Sequence, residues 1–320
     1  MLNSSPWAVA IIAAREAPDT LKRTVEAAQA ASVNMDTLID VLVNGNPALA
    51  REIAAWVAAS SDMRPNVQVW SIARGDKAHA WNEYVHRIWA RGRTAFFLDG
   101  YAQPRPDAFA LLAASLAQSP ETLGATGVPS SGRTAARSKA NMLVNGGFQG
   151  NMHAIAASAM ETLHTVGFRL PLGLYRTDSL IGALLKFGLD PAANKWSGRR
   201  IAVSPDATWD IPGKTTLTLD NLVGQFKRRL RQAQGDIENR AVNDHLSVRK
   251  APIASMPKTA RQLALDWLDA HPAEARRLYM KSPLRLYAAR KLREPQDWTA
   301  AELPPELLVT TAGAAGRAGQ

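Results

Sequence analysis

The sequence predicts an α/β fold on a largely parallel sheet, followed by a helical, basic C-terminal part. Three observations predict it. Short apolar runs alternate with stretches of helical periodicity through the first half of the 320 residues, the pattern of βα units feeding one sheet. Residues with chemical potential fall just after the apolar runs, where strands end. Beyond about Thr215 the alternation stops and Arg-rich helical segments take over.

The elements follow in order. Ala8–Ala13 is a strand, and Asp19 is positioned to cap a helix to about Ala31 with Leu21, Val25 and Ala28 on one face. Leu38–Val43 is the second strand. Asn46-Pro47 then supplies a cap and a first-turn proline for a helix through Ala59. Val67–Ile72 is a third strand, followed by a helix from about Ala78 to Ala90 that Gly92 stops. Thr94–Leu98 is a fourth strand, short and of wholly buried character, with Asp99 at its end, and a helix spans about Asp107–Gln118. Residues 124–139, rich in Gly, Ser, Thr and Arg, read as a mobile loop after a strand. Gly146-Gly147 precedes a strand–helix pair ending near Gly167, and Thr177–Phe187 is a helix stopped by Gly188. The last ten residues are small and polar, a disordered tail.

Composition excludes several classes. With 46% hydrophobic and 21% charged residues the chain is not disordered. Without cysteine there is no disulfide, thiolate metal site, Fe–S cluster or cysteine nucleophile. The apolar stretch Trp7–Ala14 is far short of the roughly 20 residues that cross a bilayer, and no basic segment precedes it as in a signal peptide. A cytoplasmic protein is expected. The net charge of +10 is uneven, with 18 basic and 15 acidic residues in 1–198 against 20 and 13 in 199–320. The basic C-terminal third suits anionic partners, among them acidic lipid headgroups at the inner face of a membrane, or is a solvated surface. Nucleic acid has little beyond charge in its favour.

In an open α/β sheet, ligands bind at the carboxyl ends of the strands. Asn44, the Gly75–Lys77 loop and Asp99 therefore gather on one edge. An Asp at a strand end can hold a hard divalent ion through oxygen, although it also forms turns. Lys77 stands just ahead of a helix, whose N-terminus favours anions. His79, in between, reads as a surface or packing histidine.

Six segments in order carry a family resemblance: AARE (13–16), VLVNGN (41–46), GDKAHAWN (75–82), FFLDGYAQPRPDAF (96–109), VGFRLPLGLYRTDSLIGALLKFG (166–188) and QFKRRLRQ (225–232). Over roughly residues 6–235 they resemble a family 2 glycosyltransferase of the GT-A fold, a Rossmann-like mixed sheet that binds nucleotide-diphospho-sugars. The resemblance implies transfer of a sugar, with inversion, from a nucleotide-sugar donor to a carbohydrate or lipid-linked acceptor, in a setting such as bacterial surface-polysaccharide synthesis. It implies a divalent cofactor, Mn²⁺ or Mg²⁺. By matching position, Glu16, Asn44, Lys77, Asn82, Asp99, Arg228 and Arg229 would bind the donor, Asp99 the metal, and Asp178 would be the base that takes the acceptor proton. Asp178 can equally serve the first turn of its helix.

The sequence departs from the family pattern at several points. Arg15-Glu16 replaces an Asn-Glu, Asn44 and Asn46 stand where acids are common, and Tyr101 occupies the second Asp of D-x-D, making the motif degenerate. Asp210, in ATWDIPGK, falls near a usual His and is a candidate replacement metal ligand. The expected organisation is a GT-A domain over 1–215, a basic helical extension over 216–309 and a tail over 310–320. A non-catalytic relative acting as a binding or scaffold protein is the alternative. A nucleotidyltransferase is disfavoured because AAREAPDT lacks glycine, and G-x-G-x-x-G is absent.

Overall fold

The computed structural model describes residues 6–32, 36–60, 66–130, 135–211 and 219–311; at 145 and 219–228 it describes the backbone alone. The expected disordered tail lies mostly outside these residues.

The first strand, β1 (Trp7–Ala13), is buried along its whole length, as an all-apolar run in the middle of a sheet must be. α1 (Pro18–Ala31) follows. Asp19 does not cap it: the chain enters through Ala17, Pro18 takes the first helical turn, and Asp19 lies inside that turn. β2 (Thr37–Asn44) leads into α2 (Pro47–Ala59), where the Asn46 side chain accepts the Leu49 N–H at 3.1 Å as expected. β3 (Val67–Ile72) precedes α3 (Lys77–Glu83), which widens into a π turn over Tyr84–Ile88 rather than continuing as one α-helix to 90. β4 (Thr94–Asp99), the short β5 (Gln103–Pro104) and α4 (Ala108–Ala117) come next.

β6 (Gly124–Pro129) is followed by α5 (Ala135–Asn145), a helix over part of the stretch read as a loop. The Ala, Arg, Lys, Met and Leu residues from 135 onward are strong helix formers and outweigh the Gly and Ser just before them. β7 (Met152–Ile155), α6 (Ala157–Thr165), α7 (Thr177–Lys186) and β8 (Ile201–Asp210) complete the first part. Four helices follow: α8 (Leu219–Asn243), α9 (Ala260–Ala270), α10 (Pro272–Lys281) and α11 (Pro283–Arg293). The stretch expected to be helical through 309 closes instead with a strand, β9 (Glu306–Thr310), which pairs antiparallel with β3.

Among the described residues, nine strands form one mixed sheet in the order β5-β8-β6-β7-β4-β1-β2-β3-β9. β1 pairs parallel with both β2 and β4, so the chain winds outward through β2 and β3 and then returns to the other side of β1. That reversal makes a crevice at the carboxyl ends of β1 and β4, where α/β sheets bind ligands. Alternate β1 side chains feed two apolar layers. Val9 and Ile11 pack with α1, α2 and α4. Ala8, Ala10 and Ile12 belong to the layer that holds α3, α6, α7 and, continuously with them, Ile237, Leu263, Trp267, Leu278 and Leu292 of α8–α11.

Candidate active site

The β1–β4 register sets Ile12 opposite Asp99 and brings the turn after β1 beside the turn after β4. Glu16 folds back there, its Oε2 accepting the N–H groups of Ala14 (2.6 Å) and Arg15 (2.9 Å). Next to it, Gly45 has φ +66°, and a Cβ there would come within 2.4 Å of the Gly75 Cα. Only glycine permits both the left-handed backbone and this approach. The contact locks the loop after β2 onto the loop after β3 and so aims Lys77 at the sheet edge.

Lys77 Nζ donates to Asp99 Oδ1 at 2.5 Å. The other carboxylate oxygen, Oδ2, accepts from the Tyr101 hydroxyl at 3.0 Å and from Asn151 Nδ2 at 3.3 Å. The same Asn151 amide donates to the Tyr101 oxygen at 3.1 Å. Asn151 stands there because β7 runs antiparallel to β4, with Leu98 opposite Met152 and the Asp99 N–H donating to the Asn151 carbonyl. Asp178, in the first turn of α7, comes in from the other side. A Cβ on Gly150 would lie 3.3 Å from the Asp178 Cγ and 3.4 Å from Lys77 Nζ, so Lys77, Asp178 and Gly150 share one small space. Trp81, His153 and Ile181 close it, leaving about 10 Å³ free, roughly room for one water.

The electrostatics are those of one ammonium among acids. Burial works to lower the Lys77 pKa, but Asp99, Asp178 and Glu16 raise it and win, so the group stays charged. Burial raises the Asp178 pKa against the pull of Lys77, which gives the carboxylate more basicity than an exposed aspartate has. Tyr101 is pushed well above the usual phenol range by burial and then by Asp99; it is a neutral donor. His153 is pushed down to about 3, mainly by burial, and remains uncharged.

The segment ahead of α7 is held from three sides. Asp76 caps α3 by accepting the His79 N–H at 2.7 Å and also accepts the Gly173 N–H at 3.1 Å. Glu238 of α8 accepts the Tyr175 N–H at 3.0 Å, and Arg176 pairs with Asp236 at 3.4 Å. Leu172 exchanges main-chain hydrogen bonds with Lys258 and Ala260. The C-terminal helices thereby set the position of Asp178.

The structure brings Glu16, Lys77, Asp99 and Asp178 together and leaves other sequence candidates elsewhere. Asn44 is buried and donates to the Ala13 carbonyl at 2.7 Å, bracing the ends of β1 and β2. Asn82 is occupied at both ends by the Leu170 main chain, at 2.9 and 2.7 Å. His79 is buried, not a surface residue, and held down to about 4, chiefly by burial. Asp210 lies at the far end of β8, its oxygens taken by Arg105 (3.1 Å) and Ser130 (2.5 Å). Arg229 is exposed on α8, and the Arg228 side chain lies outside the described residues. Sequence reasoning missed Asn151, whose role needs the β4–β7 pairing, and it read Tyr101 only as a lost acid. A larger open groove of about 630 Å³ lies among α8–α11, lined by Asp236, Arg240, Trp267 and Arg285. Two of its acids already face arginines, Asp236 paired with Arg285 and Asp244 with Arg249, and none of the four clustered residues lines it.

Asp99 is the carboxylate here that could hold a divalent ion, and it fits one only when Lys77 withdraws. Among the described residues no group of three or more His, Asp or Glu side chains is assembled as a metal site.

No family model matches the chain, and no curated protein matches it. Solved structures do. A mannosyltransferase from Pyrobaculum calidifontis, in complex with GDP-Man and Mn²⁺, is similar over 94% of this chain and 87% of its own, at 17% identity and a TM-score of 0.55. Glucosyl-3-phosphoglycerate synthase from Mycobacterium tuberculosis, in complex with Mn²⁺ and UDP, is similar over 73% and 78%, at 16% identity and a TM-score of 0.49. The first of these shows the fold. The chain has the GT-A fold, a mixed α/β sheet, and the cluster of Lys77, Asp99 and Asp178 lies at its central crevice.

Proposed function

We propose that the chain is an inverting glycosyltransferase of the family 2 type, moving a sugar from a nucleoside-diphosphate donor to an acceptor hydroxyl. The observation that carries this reading is the meeting of Lys77, Asp99 and Asp178 at the crevice of a GT-A sheet. Asp178 takes the proton of the acceptor hydroxyl as its oxygen bonds to the anomeric carbon. The bond from that carbon to the diphosphate breaks on the opposite side, and the diphosphate leaves with the electron pair. Lys77 offsets the charge that develops on it. A divalent ion, Mn²⁺ or Mg²⁺, belongs to the reading because the mannosyltransferase that shares this fold is solved with Mn²⁺. Asp99 would hold it, and bound there it polarises the departing diphosphate.

The finer parts of the proposal rest on residues outside the cluster. The acceptor is a carbohydrate or a lipid-linked acceptor, as in bacterial surface-polysaccharide synthesis. The basic part from 216 to 309, with exposed Arg229 and Arg231 on α8, supplies a face for an anionic membrane on the cytoplasmic side. Among the described residues no helix is long and apolar enough to cross a membrane.

Thermal unfolding with UDP, GDP, dTDP and CMP, each with Mn²⁺ or with EDTA, tests the proposal. A nucleotide at about 100 times its Kd stabilises the fold by roughly 2.7 kcal/mol. One nucleotide raising the melting temperature supports the reading and names the donor class. No shift with any of them favours the non-catalytic relative.

A further inference from the structure

We infer that Lys77 and a divalent cation exclude one another at Asp99, so that the cation enters only together with a diphosphate that draws the ammonium off the carboxylate. The inference rests on the nucleotide-sugar reading for the identity of the diphosphate, and on the coordinates for the exclusion.

Four observations carry it. Lys77 Nζ sits 2.5 Å from Asp99 Oδ1, where a cation bound to that oxygen would have to be. The second oxygen is held by two neutral donors, Tyr101 and Asn151, whose hydrogen bonds a metal would have to break. On the Asp178 side of Lys77 only about 10 Å³ is free, so a hydrated ion or a phosphate does not fit behind the ammonium and has to meet it on its open face. The described protein groups also supply too few ligands: hard divalent ions take about six oxygens or more, and no group of three acids or histidines is assembled as a metal site. Water and phosphate oxygens supply the rest.

Lys77 is suited to move. Its ammonium ends a flexible four-carbon stem, and a diphosphate offers it more negative charge than one carboxylate does. Once Nζ shifts to the phosphates, Asp99 Oδ1 is free and the space that Nζ filled is open beside it. Lys77 thus serves as the cation at Asp99 before the diphosphate binds and as a phosphate ligand afterwards.

The test is binding of Mn²⁺ to the full chain, read by loss of the paramagnetic resonance signal of free Mn²⁺, with no nucleotide present. The wild-type protein should leave that signal nearly unchanged. Lys77→Met and Lys77→Gln, which remove the charge and keep most of the length, should each bind Mn²⁺ at least tenfold more tightly, and adding Asp99→Asn should abolish the gain. Lys77→Arg, which keeps a cation, should behave like wild type. Adding GDP or UDP to the wild-type protein should restore Mn²⁺ binding, seen as a loss of signal beyond that which the same nucleotide and Mn²⁺ give without protein. Wild-type protein that binds Mn²⁺ without nucleotide as tightly as a folded Lys77 variant overturns the exclusion, as does a folded uncharged variant that gains nothing. Circular dichroism identifies which variants are folded. A failure of the donor reading looks different: no nucleotide shifts the melting temperature, while the nucleotide-free comparison still decides the exclusion.

Discussion

The Tyr101 hydroxyl donates to Asp99 Oδ2 at 3.0 Å, two residues along the same chain, and the Asn151 amide spans both groups. A tyrosine that stands where the family pattern has a second acid therefore holds the first acid in place. Tyr101→Phe removes one hydrogen bond to a charged acceptor in a half-buried setting. Unfolding in urea should show a loss of about 1–2 kcal/mol, with the fold retained. Asn151→Ala removes the other donor to the same oxygen, so the double variant should lose less than the sum of the two. Strict additivity would mean that the three groups do not act as a unit.

Asp178 presents a carboxylate made more basic by burial, next to the ammonium that also contacts Asp99. If it takes the acceptor proton, Asp178→Asn should lower the transfer rate about 10²–10⁴-fold. Nucleotide-induced stabilisation should survive in that variant. For the wild type, kcat/KM should fall as the pH drops, starting at a higher pH than an ordinary aspartate would give. A variant that retains the wild-type transfer rate would move the base elsewhere.

The Gly45–Gly75 contact predicts an unequal pair of glycine substitutions. Gly45→Ala adds a Cβ 2.4 Å from backbone at φ +66°, whereas Gly92→Ala adds one at φ +79° with nothing within 4 Å. The second should cost only the left-handed penalty, about 1–2 kcal/mol. The first adds overpacking of a further 1–3 kcal/mol or so, and because it pushes the Lys77 loop away it should also weaken nucleotide binding. Equal losses of stability from the two would show that the loops tolerate separation.

Much of the fold was legible in the sequence because its signals are local. β1 to β4 are dense apolar runs, and the Asn46-Pro47 cap is written in two adjacent residues. Lys77 and Asp99 stand out because each lies at a strand or helix end, and Asp178 because its segment resembles the family's; the structure sets the three side by side. What could not be read depends on contacts between distant segments. Asn151 becomes a partner of Asp99 only through the antiparallel β4–β7 register. Asn44 and Asn82 look like ligand-binding amides in the sequence, yet the main chains of Ala13 and Leu170 claim them. β9 has no strong alternation, and its strand character comes from its pairing with β3. Asp210 looked free for a metal until the fold brought Arg105 and Ser130 to it.

Glu238 gives the link between the C-terminal helices and the site a pH dependence. It is fully buried on α8, accepts the Tyr175 N–H and the Gln234 amide, and burial pushes its pKa up to about 7 from an ordinary 4.5. The folded chain thus binds this proton more tightly than the unfolded chain does. The resulting stabilisation is fully present below about pH 4.5 and is lost as the pH rises through about 7. At 1.36 kcal/mol per unit, the contribution of this one group falls by about 3 kcal/mol across that window. Glu238→Gln keeps an acceptor for Tyr175 and a contact to Gln234 but cannot ionise. Compared at pH 5 and pH 8 by urea unfolding, the variant should match wild type at the lower pH and exceed it at the higher. Because Tyr175 leads directly to α7, protection from hydrogen exchange at residues 172–178, corrected for the intrinsic rise of exchange with pH, should fall over the same window in the wild type and stay constant in the variant. An unchanged pH slope in Glu238→Gln would place the buried charge elsewhere. Asp76, also raised by burial and joined to the same segment through Gly173, would then be the group to replace.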